Sequence, residues 1–305
     1  MEDVVIIGAG PAGLSAGIYA SRYLMKHVII GSLPGGLITT AHKVENYPGF
    51  NSLSGWELGQ KFEEHARILG ANLVADEATS IVKEPDGTFR IATPGSVYQS
   101  KAVLLAYGTK RRHLDVPGEG KFAGRGVSYC SVCDGAFFRD RVVGVIGGAN
   151  AACDGALYLS DVAREVYLIY RKGALRAEPS MVDLLTHNPK IKTILNTNVT
   201  SLFGEEQLES VTLDKPYQGA VSLDLDGLFI EIGSEPDHHI LTGLGVELDE
   251  ENYIRIDARQ HTSTPGVYAA GDITTGSAKF QQAITAASEG AIAAMSIFQD
   301  LKKNG

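Results

Sequence analysis

The sequence predicts an α/β protein made of two parallel-sheet units, the second set into the first. Three observations predict it. The chain opens with an apolar run, Val4-Val5-Ile6-Ile7, a glycine-rich turn, Gly8-Ala9-Gly10-Pro11-Ala12-Gly13, and a small-residue helix over residues 14–23. The same order returns about 139 residues later, as Val143-Gly144-Val145-Ile146, then Gly147-Gly148-Ala149-Asn150-Ala151-Ala152, then a helix over residues 153–160. The residues after the second unit are too few for a third domain, so they return to the first. Continuous apolar runs suit strands buried on both faces. A strand, glycine turn and helix in that order begin a Rossmann-like, three-layer nucleotide-binding domain.

The elements follow in order. Val28-Ile29-Ile30 is the second strand of the first unit. Residues 80–93 and 97–105 alternate and read as strands, with a Pro85-Asp86-Gly87 turn. Residues 116–120 and 233–237, rich in Gly and Pro, read as linkers. Val166-Tyr167-Leu168-Ile169 is the second strand of the second unit. Strands are expected at residues 253–256 and 267–270, and a helix at about residues 282–301. The expected domains are 1–113 with 239–305, and an inserted 114–238. Two crossings between domains are what a hinge requires.

At 305 residues the chain can bury two cores of ordinary size. A net charge of −9 with no basic stripe excludes nucleic acid as a partner. No apolar run has the length of a membrane span. The chain enters a strand at once, with no basic leader, and this points to the cytoplasm. Three cysteines are too few for a secreted disulfide framework.

In the first turn Gly8 makes the bend, Gly10 lets backbone approach a pyrophosphate, and Gly13 packs helix on strand. Pro11 and Ala12 open the helix, whose N-terminus offers N–H groups to phosphates. The second strand ends Ile30-Gly31-Ser32, without the acid that would bind a ribose hydroxyl. Backbone groups around residues 31–36 must hold adenosine instead. In the second turn, Gly147-x-Ala149-x-x-Ala152, a methyl group stands where a pyrophosphate should meet bare backbone. Asn150 follows it. Opposing that, Arg171, Lys172 and Arg176 stand where the next strand ends and suit a 2′-phosphate, hence NADP.

Cys130-Ser131-Val132-Cys133 places two sulfurs within bonding distance across one turn, and Asp134 can move a proton as a thiolate forms. Zinc would need a second ligand pair. Cys153 is alone and the eight His are scattered, so no metal is expected.

These motifs resemble the low-molecular-weight thioredoxin reductases over essentially the whole chain. The resemblance rests on residues 8–13, on Pro34-Gly35-Gly36 with Val44-Glu45-Asn46-Tyr47-Pro48-Gly49, and on Tyr129-Cys130-Ser131-Val132-Cys133-Asp134-Gly135. It rests also on Thr264-Pro265-Gly266-Val267-Tyr268-Ala269-Ala270-Gly271-Asp272 and on Gln282-Ala283. It implies a homodimeric FAD enzyme whose pyrophosphate sits on residues 8–13. Asp272, beside Gly271, would bind the ribityl or phosphate region, and Gly35, Gly36, Asn46, Gln282 and Ala283 would surround the flavin. Cys133 would face the flavin, Cys130 would attack a thioredoxin-like disulfide, and Asp134 would donate the proton. The sequence departs from the family at Leu37, where a Gln is usual, at Gln281 for Arg, at Ala149 for Gly, and at Tyr170-Arg171-Lys172 for His-Arg-Arg. The electron donor is left open between NADPH and a nicotinamide-independent source such as ferredoxin. A flavin–NADP oxidoreductase with another acceptor is opposed by the Cys pair, and a non-catalytic flavoprotein is the remaining alternative.

Overall fold

The computed structural model describes residues 1–304. They group into two compact units: Met1–Thr39 with Val44–Lys110 and the chain from Glu235 onward, and Arg111–Ser234 with Thr40–Lys43.

The first unit opens with β1 (Glu2–Ile7), α1 (Pro11–Arg22), β2 (His27–Ile30), α2 (Gly55–Ile68) and β3 (Asn72–Val74). It continues with β4 (Ser80–Lys83), β5 (Phe89–Ala92) and β6 (Val97–Leu105). These strands form one sheet in the order β3-β2-β1-β6-β5-β4, parallel as far as β6 and antiparallel beyond it. Consecutive residues of β1 enter different cores. Val4 and Ile6 pack with Leu14 and Ala16 of α1, while Val5 and Ile7 pack with Phe89, Ile91 and Val103. That explains a strand with no polar alternation. Helix α1 starts three residues before the small-residue run, because Pro11 is set for a first helical position. A capping box starts α2: Glu57 N–H donates to Ser54 Oγ (3.2 Å) and Ser54 N–H to Glu57 Oε2 (2.8 Å).

The chain then runs through β7 (Thr109–Arg111), α3 (Glu119–Phe122), β8 (Val127–Ser128), α4 (Ser131–Asp134), β9 (Val142–Ile146) and α5 (Asn150–Val162). After these come β10 (Glu165–Tyr170), α6 (Pro179–His187), β11 (Ile191–Leu195), β12 (Val199–Phe203), β13 (Ser210–Tyr217), β14 (Ala220–Asp224) and β15 (Gly227–Ile230). The second unit holds a five-stranded parallel sheet, β11-β10-β9-β15-β8, and an antiparallel sheet, β12-β13-β14. Residues 116–120, expected as a linker, lie well inside the bounds of this unit, away from the points where the chain changes unit. Glu119 is buried, and its carboxylate accepts hydrogen bonds from Leu114 N–H (3.0 Å), Asp115 N–H (2.6 Å) and Tyr129 Oη–H (2.6 Å). An acid tied down this way fixes the segment. The chain changes unit at Lys110/Arg111 and again at Ser234/Glu235. There β7 pairs with β16 (Ser234–Pro236) as a separate two-stranded sheet.

The returning chain supplies β17 (Val267–Ala269), which pairs parallel with the end of β6, and α7 (Ala283–Asn304). The expected strand at 253–256 is absent: Ile254 forms only isolated bridges, to Leu248 and Thr274. A turn displaces it. Asn252 has φ 65°, and the Asp249 carboxylate accepts from Glu251 N–H (3.0 Å) and Tyr253 N–H (2.8 Å). Among the described residues no helix is long and apolar enough to cross a membrane.

Helix α7 packs along α1 with backbone nearly touching backbone. A Cβ on Gly290 would fall 2.0 Å from Ala12 O. Gly290→Ala is therefore expected to destabilise the protein by about 1–3 kcal/mol through overpacking, read as a lowered denaturant midpoint.

Candidate active site

Around the first turn the backbone leaves one gap. A Cβ on Gly13 would lie 1.9 Å from Gly8 O and one on Gly8 2.1 Å from Ala106 O, so the fold itself requires both glycines. At Gly10 the nearest atom would be Gly36 Cα, 3.9 Å away. The space over Gly10 is thus open, and no side chain caps the N-terminus of α1. Gly35 N–H donates to Ala9 O (2.7 Å), which ties residues 35 and 36 to the turn. Gly31, which stands where a ribose-binding acid would, has no room for a side chain: its Cβ would fall 2.6 Å from Ala9 N. Ser32 and Leu37 are exposed.

The Gly271-Asp272 segment lies against the same helix end; a Cβ on Gly271 would be 3.0 Å from Ala12 Cβ. Its shape is set by Glu289, a buried residue of α7. The Glu289 carboxylate accepts from Gly271 N–H (2.8 Å), Thr274 Oγ1 (3.0 Å) and Ser277 Oγ (2.6 Å). Ser277, Ala278 and Lys279 all have positive φ (48°, 52° and 59°), a costly run for residues with a Cβ. Lys279 Nζ pins the far end to Asp249 (2.7 Å) and Glu251 (2.6 Å). The chain then presents Gln281 to Asp272 O (Nε2, 3.1 Å) and Gln282 Oε1 to Asn46 Nδ2 (3.0 Å), and Ala283 opens α7. Burial, and secondly the Glu289 charge, push the Asp272 carboxyl up to about 6. Gly10, Gly36, Asn46, Gly271, Asp272, Gln282 and Ala283 are thereby gathered in one unit. An open cradle, an uncapped helix end and a largely buried carboxyl fit the pyrophosphate and hydroxyls of a dinucleotide such as FAD.

The second turn is more crowded. A Cβ on Gly148 would meet the Tyr170 ring at 2.4 Å, and the Tyr170 hydroxyl is buried without a hydrogen-bond partner. Arg176 N–H donates to Gly148 O (2.6 Å). Asn150, first residue of α5, exchanges hydrogen bonds with Glu178: Nδ2 to Oε1 (3.1 Å), and Glu178 N–H to Oδ1 (2.9 Å). Ala149 and the side chains of Arg171, Lys172 and Arg176 are exposed, and Gly147 has φ 144°.

In the same unit Cys130 and Cys133 are joined by a disulfide across the single turn of α4. Cys133 N–H points at Cys130 Sγ (3.2 Å), an orientation that favours a thiolate there. Cys130 is half-buried and Cys133 exposed. Asp134, half-buried, accepts a hydrogen bond from Ser128 Oγ (2.7 Å). Beneath the turn Glu231 accepts from Ser131 N–H (3.3 Å) and Oγ (3.2 Å) and from Arg111 Nη1 (2.8 Å). Burial raises the Glu231 carboxyl above the usual carboxylate range, against the pull of Arg111. Cys153 is buried, and burial pushes its thiol up to about 11.

Glu289, Ser128 and Glu231 were not singled out in the sequence. A signal existed for two of them. Glu289 is the only charged residue between Lys279 and Asp300, and Glu231 interrupts the apolar run Leu228-Phe229-Ile230-Glu231-Ile232. A lone acid in an apolar stretch implies a specific partner.

Residues 2–290 match the family of pyridine nucleotide-disulphide oxidoreductases. The thioredoxin reductase of Treponema pallidum is 41% identical over 297 residues, spanning 96% of this chain and 94% of the relative. The crystal structure of Lactococcus lactis thioredoxin reductase in its FR conformation superposes with a TM-score of 0.94 at 34% identity, covering 99% of this chain and 100% of that one. That of the T. acidophilum thioredoxin reductase gives 0.93 at 38% identity, covering 99% of both chains. The chain belongs to the pyridine nucleotide-disulphide oxidoreductases and, within them, to the low-molecular-weight thioredoxin reductase family.

Folding thus lifts the Asp272 carboxyl from its ordinary 3.8 to about 6. The folded state therefore binds more protons between these values. The stability this group contributes is full below the lower value and is lost as pH rises through the upper one. Asp272→Asn is expected to leave the FAD-free protein unchanged near pH 3 and to stabilise it above pH 6, by roughly 3 kcal/mol at most. Denaturant midpoints of the two proteins across that range check it.

Proposed function

We propose that this protein is an FAD-dependent thioredoxin-disulfide reductase. Electrons pass from a donor through FAD to the Cys130–Cys133 disulfide and on to the disulfide of a thioredoxin-like small protein. The observation that carries this reading is the closed disulfide of a one-turn helix with a carboxyl beside it, in a chain that also offers an open dinucleotide cradle. FAD, when bound, supplies a carrier that takes up and releases an electron pair. Residues 8–13 would hold its pyrophosphate. Gly31, Ser32, Gly35, Gly36 and Leu37 would line the adenosine and flavin side. Asp272 would hold hydroxyls, and Asn46, Gln282 and Ala283 would orient the ring.

The chain's own sulfurs carry the exchange. An electron pair and two protons open the Cys130–Cys133 bond to a dithiol. The Cys130 thiolate attacks the partner's disulfide, forming a mixed disulfide and releasing one partner sulfur as thiolate, which takes a proton that Asp134 can deliver. The Cys133 thiolate then attacks Cys130 Sγ, releasing the second partner sulfur and restoring the internal bond. One disulfide is reduced for each dithiol oxidised. A homodimer is the expected assembly, as the resemblance implies.

NADPH is the donor that Arg171, Lys172 and Arg176 favour, with a 2′-phosphate as their ligand. A second reading keeps the chemistry but takes electrons from a nicotinamide-independent donor such as ferredoxin. It is favoured by the Ala149 methyl and by the Tyr170 ring closing the Gly148 face. Anaerobic stopped-flow mixing with NADPH separates the two. Fast bleaching of the flavin band upholds NADPH; a band that bleaches only with dithionite upholds the other donor.

Cys130→Ser is expected to leave the flavin reducible while turnover of a thioredoxin disulfide falls to background. Normal turnover in that variant would remove the dithiol from the mechanism.

A further inference from the structure

One hydroxyl joins the dithiol turn to its carboxyl. Ser128, buried at the end of β8, accepts a hydrogen bond from Cys130 N–H (3.1 Å). It faces two acceptors, Asp134 Oδ2 at 2.7 Å and Cys130 O at 3.3 Å. A serine hydroxyl has one hydrogen and two lone pairs, so it can donate to only one of them at a time. While Asp134 is ionised the hydrogen goes to the carboxylate, the shorter and charge-assisted bond. When Asp134 holds a proton, its own O–H can donate to Ser128 Oγ, and the Ser128 hydrogen turns to Cys130 O. Cys130 N–H keeps its acceptor in both states. Neither state leaves a buried polar atom unpaired, and neither requires a heavy atom to move.

We infer that Ser128 is a positioning residue for the dithiol exchange, a hydroxyl rotor that keeps Asp134 in place beside the sulfurs whether or not it carries a proton. This rests on the reading of Asp134 as the proton-moving group. Other ionisable side chains on the elements packed against the turn are Glu231 with Arg111, through Ser131, and Asp154, Tyr158 and Asp161 on α5, with His42 against Asp154 and Tyr158. They are the same in every variant below and contribute equally to each profile.

The test uses the full-length, FAD-loaded protein, reduced with dithiothreitol and freed of it. The rate at which iodoacetamide alkylates Cys130 is followed by mass spectrometry from acidic to alkaline pH. In the native protein the profile carries a limb that Asp134→Asn removes. Ser128→Ala withdraws the hydrogen bond that holds the carboxyl in place, so it alters that limb. Ser128→Thr keeps the hydroxyl and restores the native limb. In the Asp134→Asn background, Ser128→Ala changes nothing further. A native profile in Ser128→Ala overturns the inference, as does an equal shift with and without Asp134. An Asp134→Asn profile matching the native one removes the reading beneath it and the inference together, which is a different result from either.

Discussion

Backbone meeting backbone at the first turn of α1 is the contact on which the first unit depends. Gly13 closes on Gly8 O, Gly36 on Gly10 and Gly290 of α7 on Ala12 O, while Gly271 closes on the Ala12 methyl. A side chain at almost any of these points would push apart the pieces that converge there. Close packing of this kind yields little hydrophobic area per residue. It relies instead on the apolar residues behind it, Val4, Ile6, Leu14, Ala293 and Ile297, to hold the layers together. What it leaves is a gap over Gly10 with a helix end pointing into it. The site is a consequence of packing as much as of any polar residue.

The two glycine turns show how the same local plan diverges. Both follow a buried parallel strand and open a helix that no side chain caps. At the first, Gly31 follows the neighbouring strand and packs on Ala9, and the space over Gly10 is open. At the second, β10 ends in Tyr170, whose ring fills the face of Gly148, and Glu178 occupies the side chain of Asn150. A negative charge beside a helix N-terminus satisfies part of what a phosphate would otherwise satisfy. The basic residues beyond pull the opposite way, so the second turn is balanced where the first is committed.

The buried strands were legible because a strand covered on both faces must be apolar there, as β9 is and as β1 is from Val4 onward. The turns were legible because glycine has few other uses between such a strand and a helix. The disulfide partners were legible from spacing alone. What the sequence hid were contacts between residues far apart in the chain. Glu119 sits in a Gly- and Pro-rich stretch that reads as linker, yet it is buried because Tyr129 and two amides supply its hydrogen bonds. Residues 253–256 have a strand's composition, but an Asp249 turn spends their backbone groups elsewhere. Ser128 looks like any strand-end serine until Asp134 is folded back onto it. Periodicity records which face is wet; it does not record which distant group completes a buried acid.

Cys153 completes the sulfur inventory. A protein that handles disulfides for a living risks trapping itself through any stray thiol, since exchange proceeds wherever a thiolate can reach a sulfur. Set within α5, fully enclosed and with its proton held well into the alkaline range, Cys153 offers neither ionised sulfur nor a path of approach. The protein's redox capacity in sulfur is therefore a single pair, and oxidative scrambling into a dead-end isomer is closed off by burial.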